Sequence, residues 1–473
     1  MLRLKTGINL QYIIFTAFLG LISLSPSLNI IPKVLITTSF HDSQRLLELL
    51  LIGLVLLHTF INGTVGLVTH QRMRYAIYSL ILLAITSSYL AISPRHALIE
   101  ISLFAGLFYL SLFVSHLYRE HTTLLLKWLV YAFWASIIFS MVSFYVGYIT
   151  ATIFNTPVIW PAPLKGFSNI RSFNQYQLWT LGLVTLPLLA FEFRRTSTRW
   201  WLHVGLVAWF VLLFFASSRG ALLAWGVGIV VTAIVYRQTA GTFIRLQLAY
   251  ITAGFISYQV LFQLIPALKK SAVVTGTVLR DSTSDRVQLW QLAINLIEHH
   301  PIFGIGAMGF AWVNAGVAHP HNSVLQLMSE WGLPAALIIL SIAGYGLACW
   351  LKRFNITSLQ AEAETKHNAS LVVVLFFTLV TNAAYSLVDG VIVMPISQVM
   401  MFSIVGLMLG IYQHHNTPDT HRKALFSRIF AGVVLVALAW ASLPEIIQGF
   451  TDTQKHFSIN YPAAGPRMWL EIK

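Results

Sequence analysis

Two arginines stand at polar breaks between apolar runs, where a guanidinium can bind an anion. Arg219 closes the short link Ser217-Ser218-Arg219, and Arg286 follows Asp285 at the start of an amphipathic stretch. A guanidinium stays charged at any working pH and binds two phosphate oxygens at once, so a pair of them suits a pyrophosphate. Each arginine also has a structural alternative, because Arg219 can snorkel at the membrane surface and Arg286 can pair with Asp285.

His321 is the candidate general base. It precedes a long apolar run, with Asn322 placed to cap the helix. The neutral imidazole of a histidine accepts a proton, as a general base must. A lone interfacial histidine is otherwise structural, and the pair His319 and His321 also has the spacing of metal ligands. Because neither a cysteine nor a carboxylate cluster stands nearby, we expect no metal at this site.

Other polar residues of the same kind complete the set of candidates. Arg171 is a third arginine, in a segment that also carries Asn169. Asp389 occupies another polar corner, where it either caps a turn or contacts a substrate. Glu330 shares a helical face with Ser323, and we expect it mainly to brace the bundle, because a carboxylate at membrane depth is costly unless it is paired.

The elements that must position these side chains are membrane helices. Of the 473 residues, 57% are hydrophobic and 10% charged, against about 25% charged residues in soluble domains. A membrane span takes about 20 residues, and the chain contains about 12 to 13 such apolar stretches. We therefore predict an all-α, polytopic integral membrane protein. The stretches cover 8–25, 46–68, 75–93, 97–117, 126–149, 175–192, 200–216, 220–236, 247–265, 322–351, 370–388, 396–413 and 426–447.

The same features exclude other classes of protein. Continuous apolar runs disfavour a β-barrel, and the single Cys349 forms no disulfide within the chain. The net charge of +14 comes from basic residues scattered between apolar runs, which is typical of membrane orientation and not of nucleic-acid binding. The Gly-x-x-x-x-Gly-Lys loop that binds nucleotide phosphates does not occur, so we expect neither nucleotide hydrolysis nor a cofactor.

Charge placement predicts the orientation of the chain. With a cytoplasmic N-terminus, the inner segments hold 17 of the 30 basic residues but five of the 16 acidic ones, as the positive-inside rule requires. We treat 1–473 as a single membrane domain with a long outer loop at 266–321 and a short tail at 448–473. The loop is expected to contain an amphipathic helix that is capped by Ser282 or Ser284 and ends at Pro301.

Four motifs resemble the O-antigen ligase superfamily, which includes O-antigen ligases, O-antigen polymerases and bacterial protein O-oligosaccharyltransferases of the pilin glycosylation ligase type. They lie between about 165 and 340, roughly the middle third of the chain. The motifs are Ser218-Arg219-Gly220-Ala221; Asp285-Arg286 with Trp290 and Pro301 to Gly306; His321-Asn322 with Gly332 ten residues after the asparagine; and Phe167-Ser168-Asn169 followed by Asn174-Gln175.

The resemblance implies an inverting glycosyltransferase of the bacterial inner membrane, with its active site facing the periplasm. The implied donor is a glycan on undecaprenyl diphosphate, and the implied acceptor is a hydroxyl of a lipid A-core sugar or of Ser or Thr in a pilin-type protein. The resemblance assigns His321 as the base and Arg219 and Arg286 to the diphosphate. The residues predicted to bind substrate are Asn322, Arg171, Asn169 and Asp389. An Asp-x-Asp pair is missing from the outer loops, so we expect arginines instead of a metal to neutralise the diphosphate.

Other functions remain open at this level. A polymerase would join glycan repeat units with the same chemistry. A lipid or solute transporter would place its ionisable residues near the bilayer midplane, whereas Arg219, Arg286 and His321 are predicted at one rim. A structural membrane subunit without catalysis is a third alternative.

Overall fold

The chain folds almost entirely into α-helices. The computed structural model describes residues 10–27, 40–63, 71–156, 164, 166–167, 169–190, 196–269, 286–314, 317–361, 366–413 and 421–451. These residues contain no β-strand, which confirms the all-α class. The helices are α1 (Leu10–Leu24), α2 (Phe40–Asn62), α3 (Gln71–Tyr89), α4 (Pro94–Ile153), α5 (Ile170–Leu183), α6 (Leu186–Ala190), α7 (Thr196–Phe215), α8 (Arg219–Tyr236), α9 (Gly241–Gln259), α10 (Ile265–Lys269), α11 (Arg286–His299), α12 (Phe310–Val313), α13 (Ser323–Trp331), α14 (Leu333–Arg353), α15 (Ile356–Ala361), α16 (Lys366–Tyr385), α17 (Pro395–Gln413) and α18 (His421–Thr451).

The helices are long and apolar enough for a multi-pass membrane protein. Seven helical stretches in the described part of the chain meet the length and hydropathy of a span. Two of them, Pro94–Ile153 and Arg219–Lys269, have 60 and 51 residues. Because a helix rises about 1.5 Å per residue and the hydrocarbon core is about 30 Å thick, each is long enough for two crossings. The polytopic architecture is thereby confirmed.

The structure corrects two of the predicted boundaries and agrees with a third. The stretches 97–117 and 126–149 both lie in α4, and the chain leaves helical geometry between them at His121 (φ −137°, ψ 44°), so that a kink separates the two stretches as predicted. The single stretch predicted at 322–351 is broken at Gly332, whose φ of +83° ends α13 before α14 begins. Helix α2 begins at Phe40, six residues earlier than predicted, because its polar first turns are buried in the protein.

Helix packing brings several helix ends to one end of the bundle. Helix α16 packs against α5 and α8, α17 packs against α4, and α11 packs against α13. One cluster of buried apolar side chains extends from α1 to α18. The link between α16 and α17 lies beside the starts of α5, α8 and α13. The predicted caps Ser282 and Ser284, together with Asp285 and the tail after 451, lie outside the described residues.

Candidate functional site

His321 lies between a basic and an acidic partner that come from different helices. Its Nε2 atom is 2.9 Å from Nη1 of Arg171, in the first turn of α5. Its Nδ1 atom is 3.3 Å from Oδ1 of Asp389, in the link between α16 and α17. The side chain is buried, with 5% of the residue exposed. The tertiary fold therefore assembles three of the predicted site residues into one contact group.

These partners determine which ring nitrogen carries the proton. A guanidinium has only donors, so Nε2 of His321 must accept the hydrogen bond from Arg171. The proton of the neutral ring then lies on Nδ1 and is donated to the carboxylate of Asp389. His321 is thus arranged as a neutral imidazole with its lone pair on Nε2, the form that accepts a proton from a hydroxyl.

Asp389 is held by hydrogen bonds from four directions. Besides His321, the Tyr385 hydroxyl donates to Oδ2 at 2.7 Å, and the Gly390 N–H donates to Oδ1 at 2.7 Å. The Gln175 amide donates to Oδ1 at 3.4 Å. Burial by itself raises the pKa of Asp389, but the interactions with His321 and the hydrogen bonds from Tyr385 and Gly390 outweigh it and bring the pKa to about 2. The carboxylate is therefore ionised and oriented toward His321.

Tyr385 links this group to the two segments that carry the other arginines. Its hydroxyl hydrogen-bonds with Ser218, and it interacts electrostatically with Arg286. The ring also lies against Gly220, where an added Cβ atom would meet Tyr385 Cε2 at 3.3 Å. The start of α8 therefore lies against Tyr385 of α16, and Arg286 of α11 interacts with Tyr385 electrostatically. Sequence reasoning missed Tyr385, although its spacing of four residues from Asp389 at a helix end was a usable signal.

Arg219 and Arg286 each begin a helix at this end of the bundle. Arg219 is exposed and follows the cap residue Ser218, whose hydroxyl accepts from the Ala221 N–H at 3.3 Å. Arg286 is half-buried and opens α11, and its Nε atom is buried without a hydrogen-bond partner among the described residues. Both positions combine a guanidinium with the N-terminal end of a helix, where backbone N–H groups favour anions.

Asn169 and Asn322 act as helix caps. The Asn169 side chain accepts from the Ser172 N–H at 2.9 Å, and the Asn322 side chain accepts from the N–H groups of Val324 and Leu325 at 3.0 Å each. These caps fix the starts of α5 and α13, and with them the neighbouring Arg171 and His321. Their predicted contact with substrate stays a prediction.

Glu330 braces the loop that precedes the histidine. It is fully buried, and its carboxylate accepts from the Phe310 N–H at 3.1 Å and from the Gln326 amide at 3.3 Å. The loop runs so close to α13 that a Cβ atom on Gly332 would lie 2.1 Å from the Ile302 carbonyl oxygen. Glycine at this position, ten residues after Asn322, is therefore required by close backbone contact.

A buried arginine that sequence reasoning missed holds the far end of the Asp389 turn. Arg45 donates to the Val393 carbonyl at 2.6 Å and to Gln398 Oε1 at 2.5 Å, and it pairs with Glu48 at 2.5 Å. The turn itself is closed by a hydrogen bond from the Val393 N–H to the Gly390 carbonyl at 3.1 Å. Arg45 thus anchors one end of the turn whose other end presents Asp389.

A second polar group lies at the same end of the bundle but apart from these contacts. His96 Nε2 is 2.7 Å and Arg95 Nη2 is 2.9 Å from Glu445 Oε1, which ties the start of α4 to α18. The His96 ring also contacts Trp312 at a centroid distance of 5.3 Å. This group contains a second buried histidine beside an arginine, and it is a natural control for experiments on His321.

The structure also places the two histidines that have metal-ligand spacing. The rings of His319 and His321 are 4.2 Å apart, and His319 Nδ1 accepts from the His321 N–H at 3.2 Å. A group of three or more His, Cys, Asp or Glu side chains suited to a metal is not found within the described ranges. The backbone of His321 is left-handed, with φ of +54°, a conformation that strains a residue with a side chain.

Fold and site together define a polytopic helical membrane protein with a basic, histidine-containing site at one end of its helix bundle. Residues 204–340 match the family model of the O-antigen ligases, and this match confirms the resemblance to the O-antigen ligase superfamily. The matched segment contains Arg219, Arg286, His321 and Asn322. It supports glycan transfer of the ligase or polymerase type as the general activity, with a lipid-linked glycan donor. A search of curated proteins found no match to the chain.

Proposed function

We propose that the protein is an inverting glycosyltransferase that moves a glycan from undecaprenyl diphosphate to an acceptor hydroxyl at the periplasmic face of the inner membrane. The observation that carries this proposal is the orientation of His321, whose Nδ1 faces Asp389 and whose lone pair lies on Nε2. A general base of this kind, with arginines nearby, suits attack by a hydroxyl on a sugar diphosphate.

The reaction is one displacement at the anomeric carbon. The acceptor hydroxyl gives its proton to Nε2 of His321 while its oxygen forms the new bond to the anomeric carbon. The bond from that carbon to the diphosphate oxygen breaks, and its electron pair stays on the diphosphate. The products are the glycosylated acceptor and undecaprenyl diphosphate, and the imidazolium later loses its proton to water. Attack from the face opposite the leaving group inverts the configuration.

The arginines act on the leaving group. Negative charge grows on the diphosphate oxygen as its bond lengthens, so a guanidinium beside that oxygen stabilises the transition state more than the ground state. Arg219 and Arg286 suit this role because both begin helices next to the Tyr385 group. The buried Nε atom of Arg286, which lacks a hydrogen-bond partner in the described part of the chain, supports anion binding there. We propose that these arginines, without a metal, neutralise the diphosphate.

The acceptor distinguishes the members of this family. We propose a lipid A-core sugar or a Ser or Thr of a pilin-type protein, and a growing glycan would make the protein a polymerase. Mass spectrometry of lipopolysaccharide and pilin from cells that lack the protein identifies the acceptor, because only the true product loses its sugar. If the glycan is still attached to its acceptor but is shortened to few repeat units, the protein is a polymerase.

An assay with purified protein distinguishes a transferase from a transporter. The protein in nanodiscs is given a glycan-linked undecaprenyl diphosphate and the candidate acceptors. We expect release of undecaprenyl diphosphate and a glycosylated acceptor. Movement of intact glycolipid across a vesicle, without cleavage of the sugar-phosphate bond, would overturn the proposal in favour of transport. Arg171, Asp389 and His321 meet where helices begin or end, and this arrangement supports the transferase.

A further inference from the structure

The nitrogen that must act as base is already occupied in the protein. Nη1 of Arg171 donates to Nε2 of His321 at 2.9 Å. Because Nδ1 faces Asp389, Nε2 is the ring nitrogen left to take a proton from a substrate hydroxyl. A single lone pair cannot serve Arg171 and an acceptor hydroxyl together. Arg171 must therefore leave Nε2 before His321 works.

A single hydrogen bond within the described residues holds the side chain of Arg171. Its side chain is half-buried, and within the described residues His321 is its one hydrogen-bond partner. Arg45 at the same end of the bundle is different, since it is buried and donates to Glu48, Gln398 and the Val393 carbonyl. The backbone of Arg171 stays fixed, because the Asn169 cap defines the start of α5. A swing of the guanidinium therefore needs no movement of the helix.

We propose that Arg171 is a further catalytic residue, which caps Nε2 of His321 in the empty site and transfers its hydrogen bond to the diphosphate when the donor binds. This inference rests on the proposed function. A guanidinium binds a phosphate oxygen with a charge-assisted hydrogen bond, which is stronger than its bond to a neutral imidazole. The arriving diphosphate thus draws Arg171 away and uncovers the base.

The consequence is an order of events. The donor binds first, Arg171 turns to its phosphate oxygens, and only then does the acceptor hydroxyl reach Nε2. His321 is unable to deprotonate an acceptor while the donor is absent. The same arginine then adds positive charge at the leaving group, so that uncovering the base and stabilising the diphosphate are one movement.

The test measures the accessibility of Nε2 by chemical modification. Diethyl pyrocarbonate adds to the unprotonated nitrogen of imidazole, and peptide fragmentation in a mass spectrometer separates His321 from His319. The rate of modification is measured on the full chain in nanodiscs, with and without saturating undecaprenyl diphosphate. Three forms are compared: wild type, Arg171→Met, and Arg95→Met. The last is the matched control, because Arg95 lies beside His96 in the separate Glu445 group.

We expect undecaprenyl diphosphate to accelerate modification of His321 in the wild type and in Arg95→Met. Loss of a charge-assisted hydrogen bond corresponds to a rate increase of about tenfold. In Arg171→Met, we expect His321 to be modified at the fast rate even without the lipid, and the lipid should not increase that rate further. The wild-type comparison needs no substitution, so it remains decisive if Arg171→Met fails to fold.

A second measurement distinguishes failure of the Arg171 proposal from failure of the proposed function. Binding of the lipid is measured in parallel by the thermal shift of each form. If the lipid binds but does not accelerate modification of His321 in the wild type, the proposed capping of Nε2 by Arg171 is wrong. The proposed diphosphate site would still stand. If undecaprenyl diphosphate does not bind to any form, the proposed donor is wrong and the cap falls with it.

Discussion

The Nδ1 atom of His321 and the Oδ1 atom of Asp389 lie 3.3 Å apart, although the two residues are 68 positions apart in the chain. Asp389 is 1% exposed, and its carboxylate accepts further hydrogen bonds from Tyr385 and Gly390. These contacts suit the orientation of the imidazole, and the predicted contact of Asp389 with substrate stays a prediction. This pair fixes the ring so that Nε2 faces Arg171.

Asp389→Asn tests this orienting role. The amide removes the negative charge that stabilises the imidazolium formed during transfer, so we expect the turnover of donor to fall by about 100-fold, within the range of general-base contributions. Binding of undecaprenyl diphosphate should change little, because Asp389 is buried. The measurement is initial rate against donor concentration with the purified protein. A variant with normal turnover would show that His321 needs no carboxylate.

The low pKa of Asp389 predicts how stability depends on pH. Its pKa is about 2 in the folded protein and about 3.9 in an unfolded chain. A carboxylate with a lowered pKa stabilises the folded state above the unfolded pKa, and this contribution is lost as the pH falls from about 4 toward 2. Thermal unfolding of wild type should therefore lose more stability across that interval than unfolding of Asp389→Asn. Parallel curves for the two proteins would contradict the assigned pKa.

Arg219→Lys tests whether the guanidinium itself is needed. Lysine keeps the charge but lacks the planar fork that binds two phosphate oxygens. We expect a loss of about 10- to 100-fold in turnover, which corresponds to one charge-assisted hydrogen bond. The control is Arg245→Lys, since Arg245 is exposed on α9 and hydrogen-bonds within its own helix. Wild-type turnover by Arg219→Lys would indicate an arginine that only snorkels at the interface.

Arg45→Met tests the clamp on the Asp389 turn. Removing one partner from a buried ion pair typically costs about 3–5 kcal/mol, because Glu48 is left buried and unpaired. We expect a clear fall in the free energy of unfolding, accompanied by a lower turnover at unchanged donor binding. The double variant Arg45→Met/Glu48→Gln should regain part of the stability but not the turnover. Full recovery of turnover in the double variant would reduce Arg45 to a purely stabilising residue.

Much of the fold is predictable because the bilayer constrains it strongly. Every predicted apolar stretch overlaps a helix, since a chain in lipid must satisfy its backbone hydrogen bonds internally. The positions of breaks between helices depend on local contacts, which explains the errors in the predicted helix boundaries. Gly332 ends α13 because its loop packs against Ile302, a tertiary contact that hydropathy does not report. At His121, in the polar link between 97–117 and 126–149, the chain leaves helical geometry, and this kink was predictable from the sequence.

The candidate site was predictable by residue type but not by contact. Arg171, Asp389 and His321 were identified as chemically unusual residues, whereas their meeting depends on how α5, α13 and the α16–α17 link pack together. Tyr385 was missed because it lies at the end of an apolar run, where tyrosine is unremarkable. Arg45 was missed because its polar surroundings resemble a solvated loop, whereas the structure buries them.

The role of His321 is tested by the donor turnover of His321→Ala, measured together with its binding of undecaprenyl diphosphate. Removal of the base leaves the arginines in place, so we predict a folded protein with normal binding and a rate of glycan transfer lowered by about 10²- to 10⁴-fold. His96→Ala, which alters the separate group at Glu445, serves as the control. Glycan transfer at the wild-type rate by His321→Ala would remove His321 from the mechanism and contradict the central claim.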